Sequence, residues 1–157
     1  MTLSTVLRPA PSPKPKAHAK KRRARRQYAT LAYRTAPDLE VLLVSSRETG
    51  RWVIPKGWPM KGRKPHAAAA LEAFEEAGVT GTISKLPIGT YNYGKRLSDG
   101  DAITCTVEVF PMRVDVELAD WPEREQRTRQ WFSLTAAAEA VEEDTLTALI
   151  GKFKPAL

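Results

Sequence analysis

Three glutamates, Glu72, Glu75 and Glu76, sit within the stretch "LEAFEEAGV", at the end of the alanine-rich run "HAAAALEAFEEAG". At about 100° per residue, a helix gathers all three into one sector roughly 100° wide. No Lys or Arg occurs between Lys64 and Lys85 to offset them. Like charges at i,i+4 cost roughly 0.2–0.5 kcal/mol per pair, and acids in the last turn oppose the helix dipole. A divalent cation reverses that balance. Hard Mg²⁺ or Mn²⁺ prefers oxygen ligands, and usually keeps several waters and a substrate phosphate beside them. The cluster therefore reads as a cation-binding face, set against the plainer reading of a solvated acidic face.

The elements that must hold this face follow from the neighbouring pattern. Ala70, Ala73, Phe74 and Ala77 share the i, i+3, i+4, i+7 spacing and lie opposite the glutamates. The small residues predict close approach to a sheet, with Phe74 as anchor. The helix is expected from about 65 to 77, with Pro65 in its first turn and Gly78 as the left-handed cap. Upstream, "QYATLAYRT" and "EVLLVSS" predict a hairpin about the turn "TAPDLE". "RWVIP" reads as a short strand, and "KGWPMKGRKP" as a Gly/Pro-rich loop. Downstream come strand candidates over 81–93 and 102–112 that turn at "LSDGD". A polar loop, "VDVELADWPEREQRTR", then leads to a short strand "QWFSL" and an amphipathic helical region over 135–150. No internal repeat or heptad pattern occurs. Strands before and after one central helix, with a second helical region at the end, predict an α/β layered domain.

A chain of 157 residues suffices for one domain with a real core. Its 42% apolar and 27% charged residues are ordinary for a globular protein. No apolar run approaches the roughly 18 residues of a membrane-spanning helix. One cysteine, Cys105, excludes an internal disulfide, and with only His18 and His66 a closed Cys/His zinc site is implausible. A reducing cytoplasm is the expected location. The net charge of +7 is concentrated in one segment: nine of the 25 Lys and Arg lie in residues 1–26, which hold no Asp or Glu. That Pro/Lys/Arg-rich segment predicts a disordered tail suited to nucleic acid or an anionic surface. The single folded domain is expected over 27–157.

The segment "GWPMKGRKPHAAAALEAFEEAGV" resembles the Nudix box, the loop–helix signature of hydrolases that cleave a diphosphate linked to another group. Gly57, Glu72, Ala73, Glu75, Glu76, Gly78 and Val79 match the family pattern in register. The flanking "VLLVSS" and "WVIPKG" extend the resemblance through residues 27–93. It implies a Nudix fold, a mixed β-sheet sandwiched between helices. Two positions depart from the pattern. Arg63 stands where the family has a loop Glu, and Leu71 where it has a helix Arg. These two commonly pair in the family, and here both are replaced together, so neither leaves a stranded charge.

By this resemblance Glu72, Glu75 and Glu76 hold Mg²⁺ or Mn²⁺, with the carbonyl of Gly57 or a neighbour assisting. Glu76 is the first candidate for general base, with Glu123 and Glu125 as alternatives. Arg51, Lys56, Lys61, Arg63 and Lys64 crowd the same segment and suit a substrate with many phosphates. "GRWVIPKGWPMKG" also looks like the matching part of the diphosphoinositol polyphosphate phosphohydrolase subgroup, although Lys56 and Trp58 replace glycines there. The expected substrate is thus a polyphosphorylated small molecule, a diphosphoinositol polyphosphate or a dinucleoside polyphosphate. Trp58, Tyr91 and Tyr93 could stack on a base or fill the core, and Trp131 and Phe132 are expected in the core. The competing readings are a non-catalytic Nudix-like binding module, which Arg63 and Leu71 motivate, and an RNA-associated protein using its basic tail.

Overall fold

The computed structural model describes residues 25–156. The disordered tail expected over 1–26 falls almost wholly outside the described residues, and the first strand already begins at Arg26. The described residues form two compact units, a larger one of Arg26–Asn92 with Thr106–Leu157 and a smaller one that holds Tyr93–Cys105.

The expected hairpin forms first. Strand β1 (Arg26–Arg34) pairs antiparallel with β2 (Glu40–Ser45), with Tyr33 opposite Val41 and Arg34 opposite Glu40. Two short strands follow, β3 (Trp52–Val53) against β2 and β4 (Lys56–Gly57) against β1. Helix α1 (Pro65–Ala77) leads into β5 (Val79–Ile83) and β6 (Gly89–Arg96). The long strand β7 (Ala102–Glu117) runs parallel to β1 from Arg26↔Thr106 to Tyr33↔Arg113, and antiparallel to β5. Strand β8 (Arg129–Ser133) pairs antiparallel with β2. Helices α2 (Leu134–Ala140) and α3 (Asp144–Gly151) close the chain. One parallel pair among antiparallel ones makes the sheet mixed, and helices flank it.

Strand β1 is buried over residues 29–33, so it lacks the alternation of a strand with one wet face. Its even positions face α1: Ala32 packs with Ala73 and Ala77, and Thr30 donates from Oγ1 to the Ala69 carbonyl at 2.7 Å. Its odd positions face away, where the Tyr33 ring meets Phe153 edge-on at 5.0 Å. The side that faces α1 also holds Leu42 and Val44 of β2 and Met112 of β7. In the smaller unit the predicted turn at "LSDGD" forms, with the Leu97 amide donating to the Asp101 carbonyl at 2.7 Å and Gly100 at φ +92°.

Several expectations are corrected. The continuous strand over 81–93 is two, because Ser84 accepts from the Leu86 amide and donates to its carbonyl in a local turn just before Pro87. The loop "VDVELADWPEREQRTR" begins as strand, since β5 pairs with β7 as far as Glu117. The helical region 135–150 is broken at Val141, which is extended (ψ 157°) and buried. Phe74 is half-buried and does not anchor α1; Ala68, Ala69, Ala73 and Ala77 carry the contact. Trp131 is half-buried but packs against the core as expected, whereas Phe132 is half-buried and edge-on to Trp52 at 5.1 Å.

Close packing of α1 on β1 predicts intolerance of volume at Ala73. Ala73→Leu is expected to lower stability by roughly 1–3 kcal/mol in urea unfolding, the usual cost of overpacking a tight core. An unchanged midpoint would contradict this packing.

Candidate active site

Helix α1 sets its carboxylates against the end of β4. Gly57 pairs with Tyr28 across the β1–β4 ladder, and a Cβ built on it would fall inside the Glu72 carboxylate. Only glycine lets the strand backbone come so near that side chain. Glu72 and Glu76, one helical turn apart, meet and share a hydrogen bond between their carboxyl groups. Burial pushes the Glu72 carboxyl up from 4.5 to about 8, helped by the charge of Glu76, that hydrogen bond, and the charges of Glu75 and Glu123. Burial raises Glu76 as well, while the positive charges of Arg127 and Lys56 pull it down. Both carboxyl groups are thus harder to ionise than an exposed glutamate, and burial is the main cause for each.

The negative end of the helix is answered from another part of the chain. No basic residue lies in the last turn of α1, and its final carbonyls would otherwise be left without donors. Gly78, at φ +66°, donates to the Phe74 carbonyl at 3.0 Å. The Glu123 amide donates to the Glu75 carbonyl at 3.0 Å, and Trp121 Nε1 to the Glu76 carbonyl at 3.1 Å. Arg129 Nη1 donates to the Ala77 carbonyl at 2.9 Å, and its Nη2 to the Leu118 carbonyl at 2.8 Å. The Arg129 guanidinium also lies 4.0 Å from the centre of the Trp121 ring. That ring occupies the space a Cβ on residue 78 would need, so Gly78 is required by both its backbone angle and its neighbour.

Of the residues singled out in the sequence, Glu72, Glu76, Gly57 and Lys56 come together here. Glu75 lies beside them and acts on Glu72 through its charge. Arg63, Lys61 and Lys64 are exposed on the loop that joins β4 to α1, and none takes part in an ion pair among the described residues. Trp58 is half-buried on that loop. Arg51, expected on the substrate, is instead engaged with Glu143 at 2.9 Å and Glu142 at 3.8 Å, just before α3. Glu123 is bound by Arg127 at 2.7 Å, whereas Glu125 is exposed. Tyr91 is a core residue and Tyr93 is half-buried. Trp121, Arg127 and Arg129 were missed by sequence reasoning, which treated their segment as polar loop. A tryptophan inside so polar a stretch was the available signal.

Among the described residues no three His, Cys, Asp or Glu side chains converge on one point. Even so, the donor set fits a hard divalent cation. It is all oxygen, it brings two buried carboxyl groups together one helical turn apart, and the Gly57 backbone lies against it.

Two outcomes are expected. Between pH 4.5 and about 8 the folded cation-free chain holds a Glu72 proton that the unfolded chain has lost, so stability falls as pH rises through that interval. In chelator, wild type should therefore lose more melting temperature than Glu72→Gln between about pH 5 and about pH 8. Equal losses would place the proton elsewhere. Arg129→Met, which strips donors from the helix end, is expected to cost roughly 1.5–3 kcal/mol in denaturant titration, the range for hydrogen bonds to a charged group.

The family model for the NUDIX domain matches residues 25–155. Nudix hydrolase 12, mitochondrial, of Arabidopsis thaliana is 36% identical over 118 residues, covering 73% of this chain and 58% of that protein. Diphosphoinositol polyphosphate phosphohydrolase 3-alpha of Mus musculus is 31% identical over 121 residues, covering 75% and 70%. The chain thus spans little more than half the length of the plant relative. Among solved structures, the Escherichia coli dihydroneopterin triphosphate pyrophosphohydrolase superposes with a TM-score of 0.65 at 18% identity, covering 82% of this chain and 93% of that one. A binary complex of the C. elegans Ap4A hydrolase does so with 0.60 at 22%, covering the same shares. At those identities the superpositions speak for the fold, and the family match and the closer relatives decide membership: this chain belongs to the NUDIX family.

Proposed function

We propose that the chain hydrolyses a phosphoric anhydride bond in a polyphosphorylated small molecule, with the Glu72–Glu76 pair at the centre of the reaction. The observation that carries this reading is the meeting of the two carboxyl groups against Gly57, in register with the family's box. When bound, Mg²⁺ or Mn²⁺ would supply positive charge to offset the negative charge that develops on the substrate's phosphates. Glu72, Glu75 and Glu76 would hold it. Glu76 takes the proton of the attacking water; Glu123, which accepts from Arg127 at 2.7 Å, is held more tightly than Glu76, 3.7 Å from the same guanidinium. The exposed cations Lys61, Arg63 and Lys64 face the substrate's phosphates as they enter.

The substrate class we favour is a diphosphoinositol polyphosphate or a dinucleoside polyphosphate. It is supported by the named activity of the mouse relative and by the cationic loop. No helix of the described residues is long and apolar enough to cross a membrane. A second reading, a binding module without turnover, draws on the lack of a three-carboxylate cluster among the described residues.

One panel separates them. Inositol pyrophosphates, dinucleoside polyphosphates, nucleoside triphosphates and nucleoside diphosphate-sugars are offered with Mg²⁺ or Mn²⁺, and released phosphate or pyrophosphate is measured. Glu75→Gln and Glu76→Gln are expected to reduce turnover by about 100-fold or more. Undiminished turnover in these variants, or in excess chelator, rejects the hydrolase reading. Tight metal-independent binding without turnover supports the module.

A further inference from the structure

Arg127 lies outside the box and yet reaches into it. Its side chain is only 9% exposed, as is that of Glu76. Each nitrogen of its guanidinium has a partner, and the three partners come from three segments. Nη1 donates to the Ser45 carbonyl at the end of β2, at 3.1 Å. Nε donates to Glu123 Oε1 at 2.7 Å, and Nη2 lies 3.7 Å from Glu76 Oε2. Glu123 is itself pinned to the helix by the hydrogen bond its backbone amide donates to the Glu75 carbonyl. A guanidinium so held is a fixed planar fork, which sets direction as well as charge. The helix has no means of its own to do this, since no Lys or Arg occurs between Lys64 and Lys85.

We propose that Arg127 is a positioning residue, which fixes the Glu76 carboxylate against β2 and the Glu123 loop in the orientation the site uses. The inference rests on the hydrolase reading but not on any choice of substrate. Removing Arg127 has two opposed effects on cation binding. Losing a positive charge beside carboxylates strengthens it. Losing their orientation weakens it, typically by 10–100-fold where an outer partner of a ligand is removed. The sign of the change therefore reports which role Arg127 plays.

The experiment measures Mn²⁺ affinity by calorimetry without substrate, and kcat and KM with the best substrate of the panel, on the full chain. Arg127→Met and Arg127→Lys are compared with wild type, with circular dichroism to confirm folding. We expect Arg127→Met to bind Mn²⁺ roughly 10-fold more weakly and to lose roughly 10–100-fold in kcat with KM little changed. Arg127→Lys, which keeps the charge without the fork, should fall between. Unchanged or tighter Mn²⁺ binding in a folded variant overturns the proposal. So does a raised KM at constant kcat, which would make Arg127 a substrate contact. If Arg127→Met fails to fold, Arg127→Lys decides by the same criteria. A wild-type chain that neither binds Mn²⁺ nor turns over any substrate rejects the hydrolase reading itself, and this role with it.

Discussion

The last turn of α1 concentrates negative charge from two sources, the carbonyl ends of the helix and three glutamate side chains. The surrounding structure is arranged to offset both. Beyond the capping amide of Gly78, three donors from outside the helix close on the carbonyls: the Glu123 amide, the Trp121 indole and the Arg129 guanidinium. The carboxylates are met separately, by Arg127 and Lys56 on Glu76 and by the hydrogen bond between Glu72 and Glu76. Backbone groups left without partners away from water would cost more than any of these bonds yields singly. The segment after β7 is therefore part of the site, although it contributes none of the box residues.

The same helix must also lie close to the sheet, and that requirement explains its alanines. Ala69 and Ala73 bring the helix near enough for Thr30 to bond the Ala69 carbonyl, and for Gly57 to touch the Glu72 carboxylate. Larger residues on that face would lift the carboxylates away from β4. Packing and chemistry are thus set by one spacing: small side chains on one face of α1 decide how deeply the acids on the other are desolvated. That desolvation is the largest cause of the raised Glu72 proton affinity.

Much of this was legible because it is local. Pro65 and Gly78 delimit the helix as their backbone preferences require, and the β1–β2 hairpin follows from two apolar runs about a turn. The resemblance to the family stands on spacing within the box, which survives in a linear reading, and the family model matches residues 25–155. The misreadings involve partners distant in the chain. Phe74 has the period of a core residue but is half-buried, since alanines suffice for so near a sheet. Arg51 sits beside the box in sequence, yet its guanidinium is bound to Glu143. The final helix breaks at Val141, whose side chain is buried in an extended conformation that periodicity cannot foresee.

The sequence by itself determined the family, the helix and the three carboxylates, because short-range spacing and backbone preference are written in neighbouring residues. It also contained the departures at Arg63 and Leu71 and the cations of the loop. Tertiary structure alone decided which charges those carboxylates meet. Arg127 and Arg129 lie some fifty residues beyond the helix they serve. Electrostatic energy depends on distance in space and on burial, and neither can be read along the chain.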